Sequence, residues 1–211
     1  RDCLLSRGLG DVYKRQVQKD PQLALYAEHM NMLMIENDST LAEFKLSISQ
    51  KYKRHRPRLL ILLGNPALLM RDEYRELWGD IPIVLCSEEN YLGPQETYTK
   101  KQAIATADRT PLTQLADPYN MVLLYSNLYL DENIQLICHI VPEIKKFIFI
   151  GDARQINQTN NLDIRNKLKK THPNVEYQFI TPQDMTTNQL LDSLYFVDPK
   201  TTGVLFSSWF Y

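Results

Sequence analysis

Arg58-Leu59-Leu60-Ile61-Leu62-Leu63, closing on Gly64-Asn65-Pro66, is the stretch whose reading decides the fold. It is apolar without alternation, the pattern of a strand buried on both faces of a parallel sheet. Upstream, Asn37-Asp38-Ser39 offers a helix N-cap. Leu41, Phe44, Ile48 and Tyr52 then recur at spacings of three and four, which predicts one buried helical face ended by Pro57. Downstream the unit repeats. Pro66 can open a helix whose inner face holds Leu68, Leu69, Tyr74 and Leu77, and Gly79 closes it. Residues 81–86 are the next strand, with Pro82 tolerated near its start.

The same alternation resumes further on. Residues 121–125 read as a strand, 131–141 as a helix capped by Asp131 with Ile134, Ile137, Cys138 and Val141 on one face, and 146–150 as a buried strand. Residues 157–170 form a helix with Ile164 and Leu168 inward. Residues 175–180, 186–195 and 203–207 give strand, helix and strand. Before all of these, residues 23–30 follow Pro21 and read as a short strand. Strand–helix alternation predicts parallel sheets with helices on both faces. The break is at 88–118, polar and carrying Pro94, Pro111 and Pro118, with room for a short helix near 100–108. It divides the chain into a first lobe at 17–90, a crossing or insert at 91–118 and a second lobe at 119–211. Residues 1–16 resemble translated sequencing-adapter sequence and read as a non-native leader.

Composition narrows the function classes. Of 211 residues, 44% are hydrophobic and 23% charged, a globular balance. A formal net charge of −1 gives no general attraction to nucleic acid or anionic membrane. The basic runs at 51–56 and 167–170 read as helix C-terminal turns, where cations complement the dipole. Cys3, Cys86 and Cys138 include no CxxC pair, so neither zinc nor a disulfide framework is expected. No apolar stretch approaches the ~20 residues of a membrane span, and no signal peptide is visible.

In open α/β sheets, ligands bind beyond the carboxyl ends of the strands. That rule selects Asn65 after the first run, then Ser87, Glu88, Asn90 and Tyr91 after the second. It adds Asp152 and Arg154 after 146–150, and Ser207 and Ser208 after the last strand. Hydroxyls, amides and carboxylates of this kind orient polar small molecules. Each also has a plainer role: Asn65 and Asp152 as helix caps, Ser87 in satisfying loop backbone, and Glu88, Glu89 and Arg154 as solvated charges. Trp209 reads equally as core. No GxGxxG, Walker A, HExxH or GxSxG sequence occurs, and the four histidines are scattered. Asp152 at a strand end lacks the acidic cluster and lysine of a phosphoacceptor site. No cofactor, metal or catalytic residue is assigned.

Three stretches carry a family resemblance: 51–62, Arg75-Glu76-Leu77-Trp78-Gly79-Asp80-Ile81-Pro82-Ile83-Val84, and Val141-Pro142-Glu143-Ile144-Lys145-Lys146-Phe147-Ile148-Phe149-Ile150-Gly151-Asp152. With the order of elements from 23 to 210, they resemble the periplasmic-binding-protein-like sensor domains of bacterial hybrid two-component histidine kinases. The order is equally similar to type I substrate-binding proteins of ABC transporters. The resemblance implies an α/β fold of two Rossmann-like lobes, truncated here at both ends, with 92–117 longer than a plain lobe crossing needs. It implies an extracytoplasmic sensor, tethered to the inner membrane by a segment outside this chain, that closes a hinge on a sugar, amino acid or nucleoside. An importer's binding protein is the alternative, and an α/β enzyme without a recognised motif the third. The expected partner is the small molecule, with homodimerisation compatible and nucleic acid excluded.

Overall fold

The computed structural model describes residues 24–210. The chain divides into two units, Arg1–Met30 and Asn31–Tyr211. Of the first, residues 24–30 take no helix or strand, and Leu25 and Tyr26 are exposed. The strand expected at 23–30 is therefore not formed over its described part, because a strand exists by its ladder and these residues enter none. Residue 23, the leader and Cys3 lie outside the described residues.

The second unit is a mixed α/β structure with two parallel sheets. Helix α1 (Asp38–Tyr52) begins as the sequence predicts. Asn37 is extended, its side chain accepts from Thr40 N at 3.0 Å, and Thr40 Oγ1 accepts from Asn37 N at 3.3 Å. Such reciprocal capping stabilises a helix by about 1 kcal/mol. Leu41 and Ile48 are buried on its inner face. Strand β1 (Leu60–Leu63) follows, then a 3₁₀ turn (Asn65–Met70) carrying Pro66 in its first turn, and α2 (Arg71–Trp78). Gly79 ends α2 at φ 69°, a conformation that favours glycine. Trp78 joins Tyr74 on the inner face, stacked at 5.7 Å between centroids, and meets Tyr52 of α1 edge-on at 6.3 Å. Lys45 and Glu73 close the α1–α2 contact with a 2.8 Å ion pair.

Strand β2 (Ile83–Ser87) pairs with β1 on one side and with β5 (Met121–Tyr125) on the other, both parallel, in the order β1-β2-β5. The sequence reading set residues 121–125 beyond the crossing, at the head of the second lobe. Their hydrogen bonds make them the third strand of the first sheet, so the polar segment before them is an excursion that returns to its own sheet. That excursion is ordered: β3 (Tyr91–Leu92) and β4 (Thr110–Pro111) pair antiparallel, with α3 (Gln95–Thr99) and a 3₁₀ turn (Thr106–Asp108) between them and α4 (Leu112–Ala116) after. The helix expected near 100–108 is displaced to 95–99, because Lys101 sits at φ 53° and ends it.

The second sheet is built by α5 (Leu130–Ile140), β6 (Lys146–Ile150), α6 (Gln155–Thr171), β7 (Glu176–Ile180), α7 (Thr187–Tyr195) and β8 (Thr202–Phe206). Its order is β7-β6-β8, all parallel. Ile134, Phe147, Phe149, Ile164 and Leu168 form the core between this sheet and α5 and α6. Ile148, Ile150, Ile180 and Leu190 form the core on the other face, under α7, with Trp209 packed against it. Gly203 lets α5 approach β8, since a Cβ there would lie 2.3 Å from Ile137 Cγ2. Asp131 does not cap α5. Tyr129 takes the N-cap position at φ 48°, and Asp131 in the first turn pairs with Lys167 at 2.8 Å.

The opening run is covered on one face only. Leu62, Ile83 and Leu85 are buried, whereas Ile61 is 44% and Leu63 64% exposed. Parallel register places Ile61, Val84 and Val122 side by side, and likewise Leu63, Cys86 and Leu124. Val122 and Leu124 are also exposed, so these rows form one apolar face open to solvent. A continuous apolar run signals two apolar faces; whether both are covered depends on what packs against them. Replacing Ile61 and Leu124 together by lysine is expected to lower binding of the hydrophobic dye ANS at least severalfold while leaving the thermal midpoint within a few degrees. A large loss of midpoint would show that this face is packed.

Candidate functional site

The strand ends carry two polar clusters. The first joins the ends of β1 and β2. Asn65 is 2% exposed, and its side chain does not cap the turn it begins. Its Nδ2 donates across the sheet to the Tyr91 carbonyl and, at 3.3 Å, to Glu89 Oε2, while its Oδ1 accepts from Ser87 Oγ. Ser87 is buried, accepts from Glu89 N at 3.1 Å and so satisfies loop backbone as well. Glu89, read from sequence as solvated, is 7% exposed. Tyr91 donates its hydroxyl to Glu89 Oε1 at 2.8 Å, and Arg109 lies over the Tyr91 ring at 4.6 Å. Glu88 and Asn90 project into solvent, although the Asn90 carbonyl receives Leu112 N at 2.9 Å.

The second cluster joins the ends of β6 and β8. Asp152 is fully buried. It accepts from Arg154 N at 2.9 Å, from the Arg154 guanidinium at 2.9–3.0 Å, from Asn157 Nδ2 at 2.8 Å and from Ser208 Oγ at 2.8 Å. Asn157 Oδ1 takes Ser207 Oγ at 2.8 Å, and Arg154 rests against Phe210 at 5.0 Å. Asp152 therefore fastens the start of α6 and also organises its neighbours. Ser207 is exposed and Arg154 is partly exposed, which leaves a hydroxyl and a guanidinium face at the surface of a fixed carboxylate.

Helix α6 touches the excursion on its polar side. Gln155, Thr159 and Asp163 are four residues apart. Thr159 Oγ1 receives Gln155 Nε2 at 2.7 Å and Ile104 N at 3.0 Å, and Asp163 takes Arg109 at 2.7 and 2.9 Å through its two oxygens. The link Asn65–Glu89–Tyr91–Arg109–Asp163 thus runs from the ends of the first sheet to the helix that follows β6. Six of the nine candidate residues, Asn65, Ser87, Tyr91, Asp152, Arg154 and Ser208, enter hydrogen-bonded clusters with one another or with these new members, and Ser207 joins through Asn157. Glu88 and Asn90 contribute no side-chain bond to them. Sequence reasoning missed Arg109, Asn157, Thr159 and Asp163. The four-residue polar repeat on α6 was visible, but a polar helical face reads as solvated until its neighbour is known.

The two clusters are opposite in electrostatic character. Burial pushes the Glu89 carboxyl above its usual range, and the Tyr91 hydroxyl and Arg109 only partly offset this. Burial works the same way on Asp152, but the hydrogen bonds from Arg154 and Ser208 outweigh it and hold that carboxyl below the usual range. The Tyr91 hydroxyl is pushed far upward by burial and by Glu89, so it acts as a donor at all ordinary pH. Cavities of about 490 and 300 Å³ lie elsewhere, and none of the nine candidates lines either.

Fold and clusters define a mixed α/β protein of two parallel sheets with built polar strand ends. Comparisons with protein-family profiles, with curated proteins and with solved structures find no match to the chain.

Two outcomes follow for these carboxylates. Glu89 holds its proton more tightly when folded, so its contribution to stability is present at low pH. It is lost as the pH rises from the ordinary glutamate range, ~4.3, through its elevated folded value. Urea unfolding of Glu89→Gln at several pH values should therefore show a flatter profile than the parent and higher relative stability near neutrality; parallel profiles would contradict this. Asp152→Ala strands four buried or half-buried donors and should cost about 3 kcal/mol at neutral pH. That penalty shrinks only as the pH falls below the ordinary aspartate range, ~3.9, through the lowered folded value, where the parent's own carboxylate is protonated.

Proposed function

We propose that this chain is the ligand-binding part of an extracytoplasmic sensor of the two-component type, built as two Rossmann-like lobes, each sheet offering its strand ends to a polar small molecule. The observation that carries the reading is the pair of clusters just described. Both lie at the carboxyl ends of parallel strands, where open α/β sheets bind ligands. Both are preorganised by buried carboxylates, and both end in exposed or partly exposed donors. The resemblance of the stretches around Arg58, Ile81 and Phe147 to sensor domains of hybrid histidine kinases supports the same assignment. The sugar, amino acid and nucleoside classes all present hydroxyl and amide groups that Ser207, Arg154, Asn90 and Glu88 can address. On this reading the ligand favours a closed arrangement by its differential affinity for it, and the receiving membrane segment belongs to another part of the polypeptide.

Thermal denaturation with a panel of D-ribose, D-galactose, L-glutamine, L-arginine, adenosine and uridine tests this. At about 100 times its dissociation constant one member should stabilise the fold by about 2.7 kcal/mol, a midpoint shift of several degrees. In Arg154→Ala and in Ser87→Ala the shift, measured against each variant's own midpoint, should fall by more than half. A ligand whose shift survives both changes would remove the strand ends from the site, and a panel without any shift would remove these ligand classes.

A further inference from the structure

Helix α6, the turn after it and strand β7 line an open cavity of about 490 Å³. Its floor is Leu168 with Val175, Tyr177 and Phe179, alternate residues that share one face of the strand segment. From Val175 to Phe179 this floor runs about 13 Å at ~3.3 Å per residue, and from Asn161 to His172 the helical wall runs about 16 Å at ~1.5 Å per residue. The shape is a trough, and it matches four or five residues of extended chain. Among the described residues β7 ends its sheet: β6 pairs with it on one side, and no strand pairs with the other. A free strand edge offers a row of backbone donors and acceptors.

The wall is cationic. Arg165 and Lys169 line the trough, are exposed and form no ion pair among the described residues. Their neighbours behave otherwise. Lys167 is held by Asp131 at 2.8 Å, and Asp163, one turn away, is held by Arg109 at 2.7 Å. The nearby Glu176 is engaged by Lys146 at 3.1 Å. The local carboxylates are thus neutralised and the two trough cations are not. Lys169 stands in the last turn of α6, where a cation offsets the helix dipole. Arg165 stands well before that turn, so the dipole does not account for it.

We propose that this trough receives an acidic peptide segment in extended conformation, added along β7 as a fourth strand of the second sheet, with its carboxylates against Arg165 and Lys169. Helix-and-edge grooves recognise peptides this way: main-chain bonds to the edge give affinity, and alternate side chains give specificity. The trough shares no residue with the two polar clusters, so occupation here is independent of the small-molecule reading.

Fluorescence anisotropy with a fluorescein-labelled peptide of alternating glutamate and valine tests the proposal. Saturable binding is expected, weakened at least tenfold by Arg165→Glu with Lys169→Glu and weakened by added salt. A peptide with prolines at alternate positions, its backbone donors removed, should also bind at least tenfold more weakly. Both replaced side chains are exposed, so circular dichroism should be unchanged; if the double reversal unfolds the chain, Arg165→Gln alone should still weaken binding severalfold. Absence of saturable binding, or equal binding by the charge-reversed protein, would overturn the proposal. Equal binding of the proline peptide would assign the trough to anions in general and overturn strand addition. A dimer seen by light scattering and lost on charge reversal would give the trough to a second copy, with the same result.

Discussion

The ion pair between Arg109 and Asp163 is the contact on which the arrangement of polar groups depends. Arg109 belongs to the excursion that leaves the first sheet after β2, and Asp163 to the helix that follows the central strand of the second. Both oxygens of Asp163 are engaged, and the same guanidinium bonds the Ile104 carbonyl and lies over Tyr91. Through Tyr91 the pair reaches Glu89 and Asn65. Remove it, and among the described residues the excursion keeps only the Ile104–Thr159 bond as a polar tie to α6. Partial burial works to lower the guanidinium, but the hydrogen bond to Asp163 and the fields of Tyr91, Asp163 and Glu89 together outweigh it and raise the group above its usual range. It is therefore a fixed charge around which the titrating group, Glu89, must adjust.

Much of the fold was legible from sequence, and the parts that were not have physical reasons. Helices α1, α2, α5, α6 and α7 followed from apolar spacing and caps, because those signals are local. Asn37 and Thr186 both form reciprocal caps where a capping residue precedes a helical pattern. Strands β1, β2, β5, β6, β7 and β8 followed from apolar residues, whereas the short antiparallel pair β3 and β4, inside the polar break, did not. What failed was partnership. Residues 24–30 look like a strand but enter no ladder; residues 121–125 look like the start of a new lobe but return to β2. The run at 59–63 looks doubly buried, yet its odd-numbered residues face solvent. Periodicity reports which side chains are apolar, not what covers them.

The candidate site shows the same division. The strand-end rule located Asn65, Ser87, Asp152, Arg154, Ser207 and Ser208, and these do assemble into clusters. It misjudged Glu89, whose neighbours Glu88 and Asn90 are exposed while it turns inward beneath Tyr91. Of the residues it missed, Arg109 and Asp163 come from the excursion and α6, distant from each other in sequence, while Asn157 lies only five positions beyond Asp152, on a helix face that reads as solvated. A charge's burial is set by its partner, and a partner 54 positions away leaves no local mark.

The excursion between β2 and β5 has a consequence for folding order. Each sheet has one pairing between strands that are neighbours in the chain, β1 with β2 and β6 with β7, and one that must wait for a longer intervening stretch. β5 reaches β2 only after residues 88–120, and β8 reaches β6 only after residues 151–201. Loop closure slows the pairings that depend on it. Exchange protection is therefore expected first at β1–β2 and β6–β7, with β5 and then β8 joining sheets already begun. In that sequence of events each sheet is the template for its own last strand, and β8 is the last to be zipped.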